Sequence, residues 1–226
     1  MGLFELITTA FAQGGIWMWA ILVAQVFSVA IVAERVWKLY LSRKINNSQI
    51  VKQFELDIKS GHLENVIKRA QLMPDRTPIS RVLKAGAEAA LEMGGREEIQ
   101  SQMDEVLLYE NARLNKRTGL LAMLANTGTL LGLLGTIIGL IQAFSSVSGV
   151  DPVEKATLLT KGIALAMNTT AYGLIMAIPA LVMFGILQSR ANTISEDLNQ
   201  AALKAFNWLS FKYDSVPQRS VRVKTK

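Results

Sequence analysis

Two stretches decide how the rest of the chain is read: Gly119–Phe144, GLLAMLANTGTLLGLLGTIIGLIQAF, and Gly162–Leu187, GIALAMNTTAYGLIMAIPALVMFGIL. Neither contains an Asp, Glu, Lys, Arg or His. A bilayer core about 30 Å thick takes about 20 helical residues to cross, so each stretch is predicted to be a transmembrane helix. Inside them the polar chemistry runs on threonine hydroxyls and glycine backbone. Any charge carrier must therefore come from another chain.

A third apolar span, residues 16–33, is followed at once by Glu34, Arg35, Lys38, Arg43 and Lys44, whereas the first fifteen residues hold no Lys or Arg. A secretory signal places its charge before the apolar run, so this span is expected to be a retained anchor. Basic residues collect on the cytoplasmic side. Fifteen lie between Arg35 and Arg117, two between the later spans (Lys155 and Lys161) and seven after them. The predicted path is therefore out, in, out, in, with Trp17 and Trp19 at the outer interface and Trp37 and Tyr40 at the inner one.

Composition fits an all-α membrane protein with much of its mass in water. Half of the residues are apolar, yet 19% are charged, too many for a chain made of spans alone. The net charge of +6 is explained by topology, because the basic residues are interspersed with acids; nucleic acid is not an expected partner. Cysteine is absent, which leaves no disulfide framework or thiolate metal site. The single histidine, His62, reads as a solvated helix-start residue.

The resulting plan is an outer N-terminus (1–15), a first span (16–33), a cytoplasmic helical segment (34–117), a second span (118–144), an outer loop (145–161), a third span (162–187), and a cytoplasmic helix with a basic tail (188–226). The tail from Ser215 is too polar and charged to bury a core. Within the cytoplasmic segment helices are expected over 48–60, 63–73 and 79–93, separated by Gly, Met73-Pro74, Thr77-Pro78 and Gly94-Gly95. From Arg96 nothing in the sequence stops a helix before Phe144. Ile99, Met103, Val106, Leu107, Glu110 and Leu114 follow a helical period, as do Ile194, Leu198, Ala201, Ala205 and Trp208 beyond the third span.

At about 100° per residue, Gly128, Gly132, Gly135 and Gly139 fall on one side of the second span, bordered by Thr129 and Thr136. On the third, Gly162, Ala166, Thr169, Gly173, Ala177 and Ala180 form a similar stripe beside Thr170. Small residues so spaced let backbones approach closely, either these two helices or copies of them. Each threonine has two readings. It can return its hydroxyl to the carbonyl four residues earlier, or it can face a water-filled or partner-filled axis, as polar groups at membrane depth often do. Pro179 frees a carbonyl near Ile175, which marks either a hinge or a static kink.

These residues carry a resemblance. LGLLGTIIG (131–139) followed by GIALAMNTTAYGLIMAIPA (162–180) resembles the paired signature of the MotA/TolQ/ExbB proton channel family, nearest its ExbB/TolQ branch, and the three-span plan is similar throughout. The resemblance implies a homopentameric ring in the bacterial inner membrane, N-terminus periplasmic and C-terminus cytoplasmic. The ring would surround two copies of a single-span partner of the ExbD, TolR or MotB kind, with a TonB- or TolA-like protein as a further candidate. That partner carries the membrane aspartate whose protonation cycle couples ion flow to mechanical work, and Thr136 and Thr170 match the threonines that face it.

Two departures from ExbB stand out: Leu165 replaces a glutamate and Thr129 a proline. With Leu165 apolar, the protonatable group must belong to the partner. The pair Thr169-Thr170 resembles sodium-driven relatives, and hard cations prefer oxygen ligands; the proton is nevertheless the expected ion, with sodium the alternative. A non-conducting scaffold is the reading of a different class. An enzyme is not expected, since no phosphate loop, metal-spaced His and Glu cluster or nucleophile elbow is present. No cofactor is expected. Glu97-Glu98 and Asp104-Glu105 read as a solvated face.

Overall fold

The computed structural model describes residues 15–41, 46–74, 77–92, 94–149 and 151–211. The expected outer N-terminus and basic tail lie outside these, all but for Gly15 and the helical part before Lys212, as do Arg43, Lys44 and Val150. Every described element is helical: α1 (Gly15–Val36) running into a π-helical turn (Trp37–Leu41), α2 (Asn47–Ser60), α3 (Leu63–Leu72), α4 (Pro78–Glu92), α5 (Arg96–Asn115), α6 (Thr118–Ser146) and α7 (Pro152–Ser210). Three helices are long and apolar enough to cross a membrane. The chain divides into two units, Met1–Leu41 with Asn115–Arg190, and Ser42–Leu114 with Ala191–Lys226.

The second unit is built by the hydrophobic periodicity of its sequence. Val51, Phe54 and Ile58 of α2, Val66 and Ala70 of α3, and Ile79, Val82 and Leu83 of α4 recur at helical spacing and are buried together. Ile99 and Met103 of α5 join them, with Leu198, Ala201, Ala205 and Leu209 of α7. Asn46 caps α2 by accepting from the Gln49 amide at 3.2 Å, and Gly61, at φ 81°, closes it in the left-handed conformation that glycine adopts without cost. The predicted helices of this unit differ from the observed ones by one residue at their ends. Glu110, on the apolar side of α5, is 1% exposed and paired with Arg81 and Arg113, so its period marks a buried ion pair. Glu97, Glu98, Asp104 and Glu105 are exposed. Polar ties join α7 to α2 and α5: the Asn47 amide donates to Asp197 Oδ2 at 2.9 Å, and Ser195 to Asn111 Oδ1 at 2.7 Å.

In the first unit, α1 packs through Ile21 and Ala24 against Met176, Leu124, Leu131 and Tyr172. One expectation is corrected. The helix predicted to run unbroken from Arg96 past the membrane stops at Asn115 and restarts at Thr118. Arg117 there has φ 65°, a conformation that costs a non-glycine residue about 1–2 kcal/mol. Its guanidinium donates to both Glu34 oxygens at 3.0 and 2.8 Å, and that charge-assisted pair offsets the strain. The segment expected between the second and third spans, 145–161, holds a turn and the start of a helix. After a turn at Gly149, φ 82°, α7 already begins at Pro152, because proline at a first helical position is pre-set in φ and lacks an amide that would go unpaired.

Candidate ion-pathway site

The four glycines of α6 and the small residues of α7 meet each other. Gly128, Gly132, Gly135 and Gly139 are all buried. A Cβ added to Gly132 would lie 3.2 Å from the Thr169 carbonyl oxygen and 3.3 Å from Gly173 Cα; one added to Gly173 would lie 2.7 Å from the Gly128 carbonyl oxygen. Further along, Gly139 faces Ala166 and Gly162 faces Ala143, while Ala177 and Ala180 pack on Ala125. Both stripes are thus satisfied within one chain. Packing of the two helices on each other is one of the two arrangements that the spacing allowed.

This close approach brings four oxygens together. The hydroxyls of Thr136 and Thr170 touch. Thr170 donates across to the Gly132 carbonyl at 3.0 Å, and Thr136 lies 3.1 Å from that same carbonyl and 3.2 Å from the Ala166 carbonyl of α7. Each threonine therefore reaches the carbonyl four residues before the other one. Thr129 and Thr127 behave otherwise, each returning its hydroxyl to its own helix at Ala125 and Met123. Thr136 and Thr170 remain partly exposed beside this knot.

Thr169 sits differently. It is 2% exposed, its methyl lies against Gly135, and its hydroxyl donates to the Leu165 carbonyl of its own helix at 3.2 Å. Asn168 is exposed. Pro179 is exposed as well, and α7 continues through it. Sequence reasoning passed over one contact: Tyr172 donates its hydroxyl to Gln25 Oε1 at 3.0 Å, tying α7 to α1. The signal was present as a lone glutamine inside an apolar span.

A donor pair at membrane depth, without a charge of its own, suits a carboxylate or hydrated ion brought by another chain. Residues 75–200 match the MotA/TolQ/ExbB proton channel family, and the chain belongs to that family. Among its relatives, an ExbB-like biopolymer transport protein of Synechocystis is 30% identical over 79% of this chain and 69% of its own length. The biopolymer transport protein exbB1 of Vibrio cholerae is 26% identical over 87% and 86%. The Tol-Pal system protein TolQ of Haemophilus influenzae is 40% identical over a shorter region, 42% of this chain and 41% of its own. These relatives place the chain in the ExbB/TolQ branch of a membrane-protein family that is not an enzyme family.

Proposed function

We propose that this chain is the channel-forming subunit of an ion-driven motor of the bacterial inner membrane. Five copies surround two copies of a single-span ExbD/TolR-like protein, and proton flow through the assembly does mechanical work for biopolymer transport or envelope maintenance. The Lys and Arg distribution supports an N-terminus in the periplasm and a C-terminus in the cytoplasm. The observation that carries the reading is the crossed pair Thr136–Thr170, the polar meeting point of two spans that hold no Asp, Glu, Lys, Arg or His. Each hydroxyl has one proton to give. With a protonated partner aspartate nearby, the two hydroxyls keep donating to the carbonyls of Gly132 and Ala166. When the aspartate ionises, the hydroxyls rotate and donate to it, because a hydrogen bond to a charged acceptor is worth about twice a neutral one. The knot is thus a pair of switchable donors that lowers the cost of a carboxylate at membrane depth and gives it up again on protonation.

Thr169 bears on the choice of ion. A dehydrated sodium ion needs several oxygens, and the third hydroxyl is committed to Leu165 with its methyl in the seam, which supports the proton. The test is ion flux into vesicles containing the chain and its partner. Thr136→Val and Thr170→Val each abolish flux in this reading, while flux in wild type proceeds unchanged without sodium. Unaltered flux and unaltered transport in the double variant would leave a scaffold as the remaining function.

A further inference from the structure

Where α1 ends, the first unit gathers more positive charge than it neutralises. Glu34 accepts from Arg117 and from Lys38; Arg35 lies within electrostatic reach of both Glu34 and Arg117, and Lys116 is next in the chain to Arg117 and exposed. One carboxylate thus pairs with two cations, Lys38 and Arg117. No other acid of the described residues in this unit lies nearby in sequence: the remaining two, Asp151 and Glu154, stand at the start of α7. The guanidinium of Arg190, in the same unit, packs over the Tyr40 ring, 5.5 Å from its centroid. The side chains of Lys38 and Arg117 remain 58% and 51% exposed even while paired, which leaves N–H groups free to bind from outside. Trp37, in the π-helical turn, is exposed.

We propose that this collar binds the phosphate of an anionic membrane lipid. Excess cations at the end of an apolar span, beside an exposed tryptophan, lie at the depth of the headgroups, where each Lys or Arg is worth about 1 kcal/mol of attraction to an anionic surface. The exposed side chains of Val26, Phe27 and Val29 offer the acyl chains a surface on the same helix. A free phosphate would find the cations but have no use for that surface, and a zwitterionic lipid carries its own ammonium to compete with them. The binding does not rest on ion conduction and holds whichever side of the membrane this end occupies.

The full chain, purified in detergent and stripped of lipid, is titrated with phosphatidylglycerol, with phosphatidylcholine of the same acyl chains, or with inorganic phosphate, and retained ligand is read by native mass spectrometry. Wild type is expected to hold phosphatidylglycerol on the order of tenfold better than phosphatidylcholine. The double variant Lys38→Gln/Lys116→Gln loses most of that preference. Lys52→Gln/Lys68→Gln, an equal loss of charge on the exposed face of the other unit, keeps it at the same helix content by circular dichroism. Equal retention of the two lipids by wild type overturns the proposal, as does an equal loss in both double variants. Displacement of the lipid by millimolar inorganic phosphate would reassign the collar to a soluble anion and also refute it.

Discussion

The two units are held together by opposite means. The second packs large side chains, Phe54, Met103 and Leu198 among them, into a common core, and water outside drives that burial at about 25 cal/mol per Å². The first brings helices together by leaving side chains out: Gly132 and Gly173 meet backbone to backbone. Lipid is as apolar as leucine, so burial drives little there, and association rests on van der Waals contact and hydrogen bonds. The same lesson accounts for what lies on each surface. Ile137, Ile141, Ile175 and Ile178 stand exposed on α6 and α7, suited to hydrocarbon, whereas the second unit turns Glu97, Glu98, Asp104 and Glu105 outward.

That contrast can be broken by substitution. The largest effect is expected at Phe54, where truncation to Ala removes a fully buried ring and costs about 3–5 kcal/mol. Denaturant unfolding followed at Trp208, which packs on the same core, reports it; a cost below about 1 kcal/mol would mean that the second unit is not held by this core. Next comes a matched pair of glycines. Gly173→Ala puts a methyl 2.7 Å from a backbone oxygen, which cannot rotate away, whereas Gly86→Ala meets the Met103 Sδ and Leu209 Cδ1 at 2.7 and 2.9 Å, the ends of flexible side chains. The first should cost about 2–3 kcal/mol and the second about 1 kcal/mol, measured as unfolding by SDS and by urea respectively. If Gly86→Ala proved the costlier, the distinction between backbone packing and side-chain packing would fail.

The smallest effect sharpens the picture of the membrane unit. Gln25→Leu removes the acceptor of Tyr172, and intramembrane hydrogen bonds average about 0.6 kcal/mol. Thr170→Val should cost a similar amount in SDS unfolding yet abolish ion flux. Equal small losses of stability with unequal losses of flux would separate a structural hydrogen bond from one in the ion path. Equal flux in the two variants would place neither on it.

Much of this was legible in the residues. Apolar runs without charge announced three spans, and the helical period of Ile99, Met103, Val106, Leu107, Glu110 and Leu114 contains the four residues that α5 buries, Ile99, Met103, Glu110 and Leu114. The stripe of small residues on α6 and α7 could be counted off a helical wheel. Where reading failed, the cause was a contact remote in sequence. Nothing at Lys116-Arg117 resembles a helix breaker. Glu34, 83 residues away, accepts both guanidinium bonds and holds Arg117 at positive φ. Likewise Gln25 and Tyr172 are separated by 147 positions and share no local pattern.

Periodicity and hydropathy are properties of neighbouring residues, so the sequence by itself determined the helices, their apolar faces, the three spans and the family. Which surface meets which is a property of distance in space. Only the tertiary structure decided that the glycine stripes are used up within one chain, that Thr169 lies in the seam while Thr136 and Thr170 exchange carbonyls, and that the helix before the second span breaks at Arg117. The physical reason is common to all three: a glycine, a threonine hydroxyl or an arginine fork has several possible partners, and the lowest free energy among them is set by backbones brought within about 3 Å, the length of a hydrogen bond.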